Sequence, residues 1–120
     1  MELIFKKCNK CGNLIWSFND KDIICCNENM RNVKGNEIDA SFEKHVPTYE
    51  INNEKITIKV NHVMEENHYI MWIMMVSENE LYYKEFKPGD NPVVTFEYKE
   101  NATLYSYCNL HSLWTNKVEK

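Results

Sequence analysis

Four of the five cysteines lie within the first 26 residues, and they constrain the fold of this chain more than any other feature. They form two close pairs, Cys8 with Cys11 and Cys25 with Cys26. A segment shorter than about 40 residues seldom folds on a hydrophobic core alone. A metal ion bound by the four thiolates would supply much of the missing folding free energy. The sequence therefore predicts a small metal-closed module over residues 1–36.

The chain carries neither a membrane span nor a secretion signal that we can recognise. Its longest apolar run, residues 69–76, is much shorter than the ~20 residues that cross a bilayer. The first seven residues lack the apolar stretch and the cleavage site of a signal peptide. We therefore expect a cytoplasmic protein without membrane contact. A net charge of −4 with no dense basic stretch disfavours nucleic acid as a partner.

A disulfide framework is the alternative interpretation of the cysteines. The Cα atoms of adjacent residues lie about 3.8 Å apart across a trans peptide, whereas an unstrained disulfide needs at least about 4.4 Å. Cys25 and Cys26 are therefore poor partners for each other. The cysteines are also odd in number, and a cytoplasmic location disfavours disulfides. Metal ligation is the favoured interpretation, and four thiolates suit either iron or zinc.

Within the module, two short apolar segments predict a β-hairpin. They are residues 14–16 and 23–24, and the turn-forming residues Asn19 and Asp20 lie between them. The polar stretch 31–36 contains a glycine and predicts the linker to a second domain.

From residue 37 to residue 120 the pattern predicts an all-β domain, in which short β-branched and aromatic runs alternate with turns. The predicted strands are residues 46–50, 55–61, 69–76, 81–86, 93–98 and 103–107. A further strand before Phe42 would give about seven, the number found in an immunoglobulin-like β-sandwich. Asn52-Asn53 and residues 87–90 predict turns. The run 69–76 is apolar on both faces, which predicts a central strand.

The second group of candidate ligands contains every histidine of the chain, four in number, and the fifth cysteine. A single histidine at a strand end is usually a surface or core residue. Here His45, His62, His68 and His111 all lie at predicted strand ends, and Cys108 precedes His111 by three residues. The Cys-x-x-His spacing places two ligands on one side of a tight turn. The loop between His62 and His68 can return both its ends to the same ion.

These residues stand in motifs that resemble the desulfoferrodoxin family, the two-iron superoxide reductases. The resemblance runs nearly end to end, and its motifs are Cys8-x-x-Cys11-Gly-Asn, Cys25-Cys26-Asn, Glu43-Lys-His45-Val-Pro, His62-x-Met-Glu-Glu-x-His68, Pro88-Gly-Asp and Tyr107-Cys-Asn-Leu-His111-x-x-Trp114. The family architecture implies a desulforedoxin-like first domain and a neelaredoxin-like, immunoglobulin-like second domain.

The resemblance also implies two iron ions per chain and the residues that hold them. One iron would have four thiolate ligands, Cys8, Cys11, Cys25 and Cys26. The other, the catalytic iron, would have four histidine ligands and an axial thiolate, namely His45, His62, His68, His111 and Cys108, with the sixth position open. Lys44 would attract the superoxide anion, and Glu43 would occupy the sixth position in the resting ferric state.

The implied reaction is the one-electron reduction of superoxide to hydrogen peroxide without release of oxygen. A rubredoxin-like protein would donate the electron, and the enzyme would be a homodimer. One departure from the family is Val63, which stands where proline is typical, so that the loop carrying His62 is expected to differ in shape. Two other functions remain open: an iron electron carrier without substrate chemistry, and a zinc-stabilised binding module.

Overall fold

Short runs rich in β-branched and aromatic residues form most of the regular elements that the structure describes. The structure is a computed structural model, and it describes residues 2–37 and 45–119. All regular elements in these two ranges are β-strands, so the all-β prediction is confirmed. No helix in the same ranges is long and apolar enough to cross a membrane. The chain divides into two compact units, Met1–Lys34 and Gly35–Lys120.

The first unit contains a three-stranded antiparallel sheet and a short hairpin. Its strands are β1 (Ile4–Lys7), β2 (Leu14–Ser17), β3 (Ile24–Cys25), β4 (Glu28–Asn29) and β5 (Arg31–Val33). Strand β1 lies between β2 and β5, and β3 pairs with β4. These strands have only two to four residues each. Their pairing alone therefore gives the unit little stability.

The pairing in this unit corrects two predictions. Residues 14–16 pair with β1 and not with residues 23–24, because the loop after β1 already reverses the chain. In that loop the N–H of Cys8 donates to the carbonyl of Asn13 at 2.9 Å. The predicted linker 31–36 begins with β5, which pairs with β1 so that Phe5 lies opposite Val33 and both are buried.

The apolar core of the first unit is small. Its buried apolar side chains, besides Cys8, are Leu3, Phe5, Met30 and Val33. The ammonium of Lys6 is buried beside them and donates to Asp20 Oδ1 at 2.9 Å and to Asn32 Oδ1 at 2.7 Å. The Lys6 ammonium lowers the pKa of Asp20 through this hydrogen bond.

The second unit contains two antiparallel sheets. Its strands are β6 (Thr48–Asn52), β7 (Lys55–Lys59), β8 (Ile70–Val76), β9 (Leu81–Glu85), β10 (Val93–Glu97), β11 (Thr103–Cys108) and β12 (Ser112–Lys117). The three-stranded sheet has the order β10-β7-β6, and the four-stranded sheet has the order β12-β11-β8-β9. One apolar cluster joins buried side chains of both sheets, including Ile56, Ile58, Ile73, Met75 and Leu104.

The strands β6 to β11 lie where the sequence predicts strands, with ends that differ by a few residues. The central position of residues 69–76 is confirmed: β8 lies between β11 and β9, and every residue of β8 except Met71 is buried. The predicted turns also form, with Asn53 at φ 59° and Gly89 at φ 89°. Strand β12 was not predicted, because the polar residues of its second half interrupt the alternation of apolar and polar side chains that indicates a strand. The segment 38–41, where a strand before Phe42 was predicted, lies outside the described residues.

Candidate metal centres

Five side chains of the second unit gather at one place, as the sequence predicts. They are His45, His62, His68, Cys108 and His111, and each offers one ligand atom, all within 4.8 Å of one another. The fold brings them together by their positions at strand ends. His45 precedes β6, His62 follows β7, His68 precedes β8, and Cys108 and His111 frame the turn between β11 and β12.

The histidines do not all present the same ring nitrogen to the centre of this group. His45 presents Nε2 and His111 presents Nδ1, and these two atoms are 3.2 Å apart. The Sγ of Cys108 lies 3.8 Å from His62 Nε2 and 3.9 Å from His111 Nδ1. Two donors on opposite sides of one ion lie about 4.2–4.4 Å apart, given metal bonds of about 2.1 Å to nitrogen and 2.3 Å to sulfur. The group therefore spans little more than one coordination sphere.

Neighbouring residues orient these ligands. The Nδ1 of His62 lies 2.6 Å from the carbonyl of Val63, and since a carbonyl only accepts, Nδ1 carries the proton and Nε2 keeps its lone pair for a metal. The indole of Trp114 stacks on His45 with ring centroids 4.4 Å apart and an interplanar angle of 10°, and its Nε1 donates to the carbonyl of His111.

The group has one buried side and one exposed side. Cys108 is 0% exposed and belongs to the apolar core cluster, and His45 is 2% exposed. His111 is exposed, and Val63 and Leu110 beside the ligands are also exposed. A small solute can therefore approach from the side of His111, whereas Cys108 faces the protein interior.

The donor chemistry fits a transition-metal ion. A thiolate in an apolar interior is costly unless a cation compensates its charge. Imidazole suits iron, zinc, copper and nickel, and thiolate suits iron, zinc and copper among these. A structural zinc site has four ligands, whereas five donors are present here. The five residues therefore suit a transition-metal ion of higher coordination number than a structural zinc, and iron is one ion that accepts both donor types.

The first unit holds the second candidate centre, made of Cys8, Cys11, Cys25 and Cys26. The Sγ atoms of Cys11 and Cys25 are 3.6 Å apart, and those of Cys25 and Cys26 are 4.0 Å apart. Sulfurs bonded at about 2.3 Å to one tetrahedral ion lie about 3.8 Å apart. The four side chains therefore fit one ion without rearrangement.

The backbone explains how adjacent cysteines can share an ion. Neighbouring residues of a strand point to opposite faces, but Cys25 ends β3 and Cys26 begins a turn with φ 53°. Asn27 follows at φ 64°, which completes a two-residue hairpin loop of the type with two left-handed residues. This loop leaves both sulfurs on the same side.

Backbone amides and neighbouring thiols set the acidity of the cysteines. The N–H of Cys11, 3.5 Å from Cys8 Sγ, favours the thiolate and lowers the pKa of Cys8 to about 7. The Cys11 side chain has the opposite effect on the two adjacent cysteines. Its hydrogen bonds raise the pKa of Cys25 to about 12 and also raise the pKa of Cys26. A metal ion must therefore displace protons when it binds.

These pKa values predict how metal affinity depends on pH. Between pH 7 and pH 12 the metal-free chain has Cys8 ionised and Cys25 protonated, so binding releases the Cys25 proton but not a Cys8 proton. Below pH 7 the Cys8 proton must leave as well, and we expect the affinity to fall more steeply there. Titration of the metal-free chain with Co²⁺ from pH 6 to pH 9, followed by the tetrathiolate absorption, measures this slope. An affinity that does not change with pH would contradict the prediction.

Two residues that the resemblance implicates, Glu43 and Lys44, lie outside the described residues. Their roles stay predictions. Sequence reasoning missed one neighbour of the ligands, Ser106, whose hydroxyl is buried and donates to the carbonyl of His45 at 2.7 Å. Its position two residues before Cys108, on the same face of β11, was the signal that could have identified it.

Comparison with known proteins agrees with this arrangement. The family description "Desulfoferrodoxin" matches residues 37–117. A desulfoferrodoxin from Nitratidesulfovibrio vulgaris is 40% identical over 114 residues, which covers 90% of each chain. A desulfoferrodoxin homolog from Methanothermobacter thermautotrophicus is 38% identical over 115 residues, covering 90% of this chain and 93% of the homolog.

A solved structure extends the likeness to three dimensions. The crystal structure of the superoxide reductase from Treponema pallidum superposes with a TM-score of 0.76 at 26% identity, covering 97% of this chain and 98% of that one. With two ligand groups in place and relatives that match along nine tenths of the chain, the conclusion is that this chain belongs to the desulfoferrodoxin family.

Proposed function

We propose that this chain is a superoxide reductase, which reduces superoxide by one electron to hydrogen peroxide, takes up two protons and releases no oxygen. The observation that carries the proposal is the group of four histidines and one cysteine whose ligand atoms lie within 4.8 Å. One side of this group is buried and the other is open to solvent. The relative from Treponema pallidum, described as a superoxide reductase, supports the same activity.

The proposal includes two iron ions per chain, one in each ligand group. When bound to the four histidines and Cys108, a ferrous ion would supply the electron and an open position for a small anion. The four cysteines of the first unit would hold an iron that transfers electrons only. We further propose that residues 1–36 are the desulforedoxin-like domain and that residues 37–120 are an immunoglobulin-like sandwich of two sheets.

Each residue of the second group has a defined task. Cys108 provides a negative charge on the buried side, where a thiolate ligand would tune the potential of a bound iron. Ser106 and Trp114 hold His45, and the Nδ1–H of His62 donates to the Val63 carbonyl. The exposed side beside His111 admits the substrate.

The charge of the chain makes a local cation necessary. A net charge of −4 repels an anion at long range. We propose that Lys44 attracts superoxide and orders water for proton delivery, and that Glu43 would bind the iron in its resting ferric form. A rubredoxin-like electron donor, a homodimer and a cytoplasmic location complete the proposal.

Metal analysis and stopped-flow mixing test the function. The purified protein should contain about two irons per chain, one for each ligand group. The reduced form, mixed with superoxide, should yield stoichiometric peroxide and no oxygen. Zinc in place of iron would instead favour the binding module, and iron that ignores superoxide would favour the electron carrier.

Lys44→Ala should slow the capture of superoxide about tenfold, because a local cation raises the encounter rate of an anion. The second-order rate at low ionic strength measures this, with iron content unchanged. Lys84→Ala is the matched control, since it removes the same charge from an exposed site on β9. An equal rate loss in both variants would mean that net charge, and not Lys44 itself, governs capture.

A further inference from the structure

Asn109 connects two separate ligand segments of the second unit. It lies in the turn after β11, directly after Cys108. Its side-chain oxygen Oδ1 accepts from the N–H of Tyr69 at 2.9 Å, and its Nδ2 donates to the carbonyl of Asn67 at 3.0 Å. Its backbone N–H donates to the carbonyl of Tyr69 at 3.2 Å.

These three hydrogen bonds bracket His68, because Asn67 and Tyr69 are its neighbours on either side. They therefore join the backbone around His68 to the residue that follows Cys108. The β-ladder is irregular at this point. The register between β8 and β11 shifts, so that Tyr107 lies opposite Trp72 but Cys108 lies opposite Ile70. Because the bulge disrupts the ladder locally, the two side-chain bonds of Asn109 reinforce the single backbone bond that joins Asn109 to Tyr69.

We propose that Asn109 is a positioning residue that sets His68 relative to Cys108. The proposal rests on the proposed function, since it takes these two residues as ligands of one ion. An amide side chain suits the task because its oxygen accepts and its nitrogen donates at the same time. A carboxylate of the same shape can only accept, and an aliphatic side chain of similar size does neither.

Two substitutions separate the bonds. Asn109→Leu removes both side-chain bonds, whereas Asn109→Asp keeps the oxygen that accepts from Tyr69 and loses the donor to Asn67. The control is Thr115→Val, which removes the hydroxyl of Thr115. This hydroxyl donates to the carbonyl of Leu104 at 2.9 Å, within the pair of β11 and β12 whose connecting turn contains Asn109. This control loses one comparable hydrogen bond without touching a ligand segment.

The measurements are made on the full chain loaded with iron. They are the thiolate-to-iron absorption of the second centre, its midpoint potential, and its iron affinity from chelator competition. We expect Asn109→Leu to lower the affinity about 10–100-fold, the range for residues that orient metal ligands, and to shift the absorption band. Asn109→Asp should shift the same band in part. Thr115→Val should leave the band and the potential unchanged, as should the tetrathiolate absorption in all three variants.

The outcomes separate this inference from the function on which it rests. An unaltered band, potential and affinity in both Asn109 variants would overturn the positioning role, and so would an equal change in Thr115→Val. If Asn109→Leu does not fold, Asn109→Ala, which also removes both side-chain bonds and adds no charge, decides by the same readouts. A wild-type chain that shows no thiolate-to-iron band at the second centre would instead overturn the proposed function.

Discussion

Cys108→Ser should remove the thiolate-to-metal absorption of the second centre and slow superoxide reduction at least about 100-fold, more than the loss of a ligand-orienting residue. Serine has nearly the same shape, but its hydroxyl stays protonated and cannot compensate a buried cation. Cys108 is 0% exposed and forms part of the apolar core. The absorption spectrum and the stopped-flow rate of the reduced protein measure the two effects.

The tetrathiolate absorption of the first centre is the internal control, since Cys108→Ser leaves Cys8, Cys11, Cys25 and Cys26 intact. Ile73→Val, in the same core cluster, controls for destabilisation, because it costs about 0.5–1.5 kcal/mol without removing a ligand. Retained activity in Cys108→Ser would exclude Cys108 as an essential ligand. A comparable rate loss in Ile73→Val would assign the effect to the core.

Removal of the metal from the first centre should unfold the first unit and leave the second unit folded. Besides Cys8, the apolar core of the first unit consists of Leu3, Phe5, Met30 and Val33. Metal binding to a structural site of this kind supplies about 10–16 kcal/mol, as much as the entire stability of an ordinary domain, about 5–15 kcal/mol. Amide hydrogen exchange before and after chelation measures the loss: protection in β1 and β5 should disappear.

The amides of β8 serve as the control for this experiment, since β8 is almost fully buried and lies in the larger core. They should keep their protection after chelation. Persistent protection of β1 in the metal-free chain would show that the small apolar core suffices without a metal. Loss of protection in β8 as well would show that the two units unfold together.

Both ligand groups could be predicted from the sequence because their members have chemistry that few other residues share. Four cysteines in a short segment and four histidines at strand ends leave few other interpretations. The central strand was equally clear, since residues 69–76 lack the polar alternation of a strand with one wet face. The all-β class followed from the same patterns.

The pairing of the first unit could not be predicted, because the turn at residues 8–13 depends on hydrogen bonds within the loop and not on apolar periodicity. Strand β12 was hidden for a different reason. Its pairing with β11 places polar Asn116 opposite Leu104, and the pattern of β12 alone does not indicate burial. The role of Asn109 depends on long-range hydrogen bonds that no local pattern encodes.

The spacing of the two ligand groups along the chain sets the order in which they can form during synthesis. The four cysteines span residues 8–26, within the compact unit Met1–Lys34. The histidine group spans residues 45–111, and β11, which carries Cys108, pairs with β8 on one side and with β12 on the other. Contacts of high sequence separation form late in folding. A nascent chain can therefore bring the four cysteines together while residues 45–111 are still being made, whereas the histidine group can form only after residue 111 has been added.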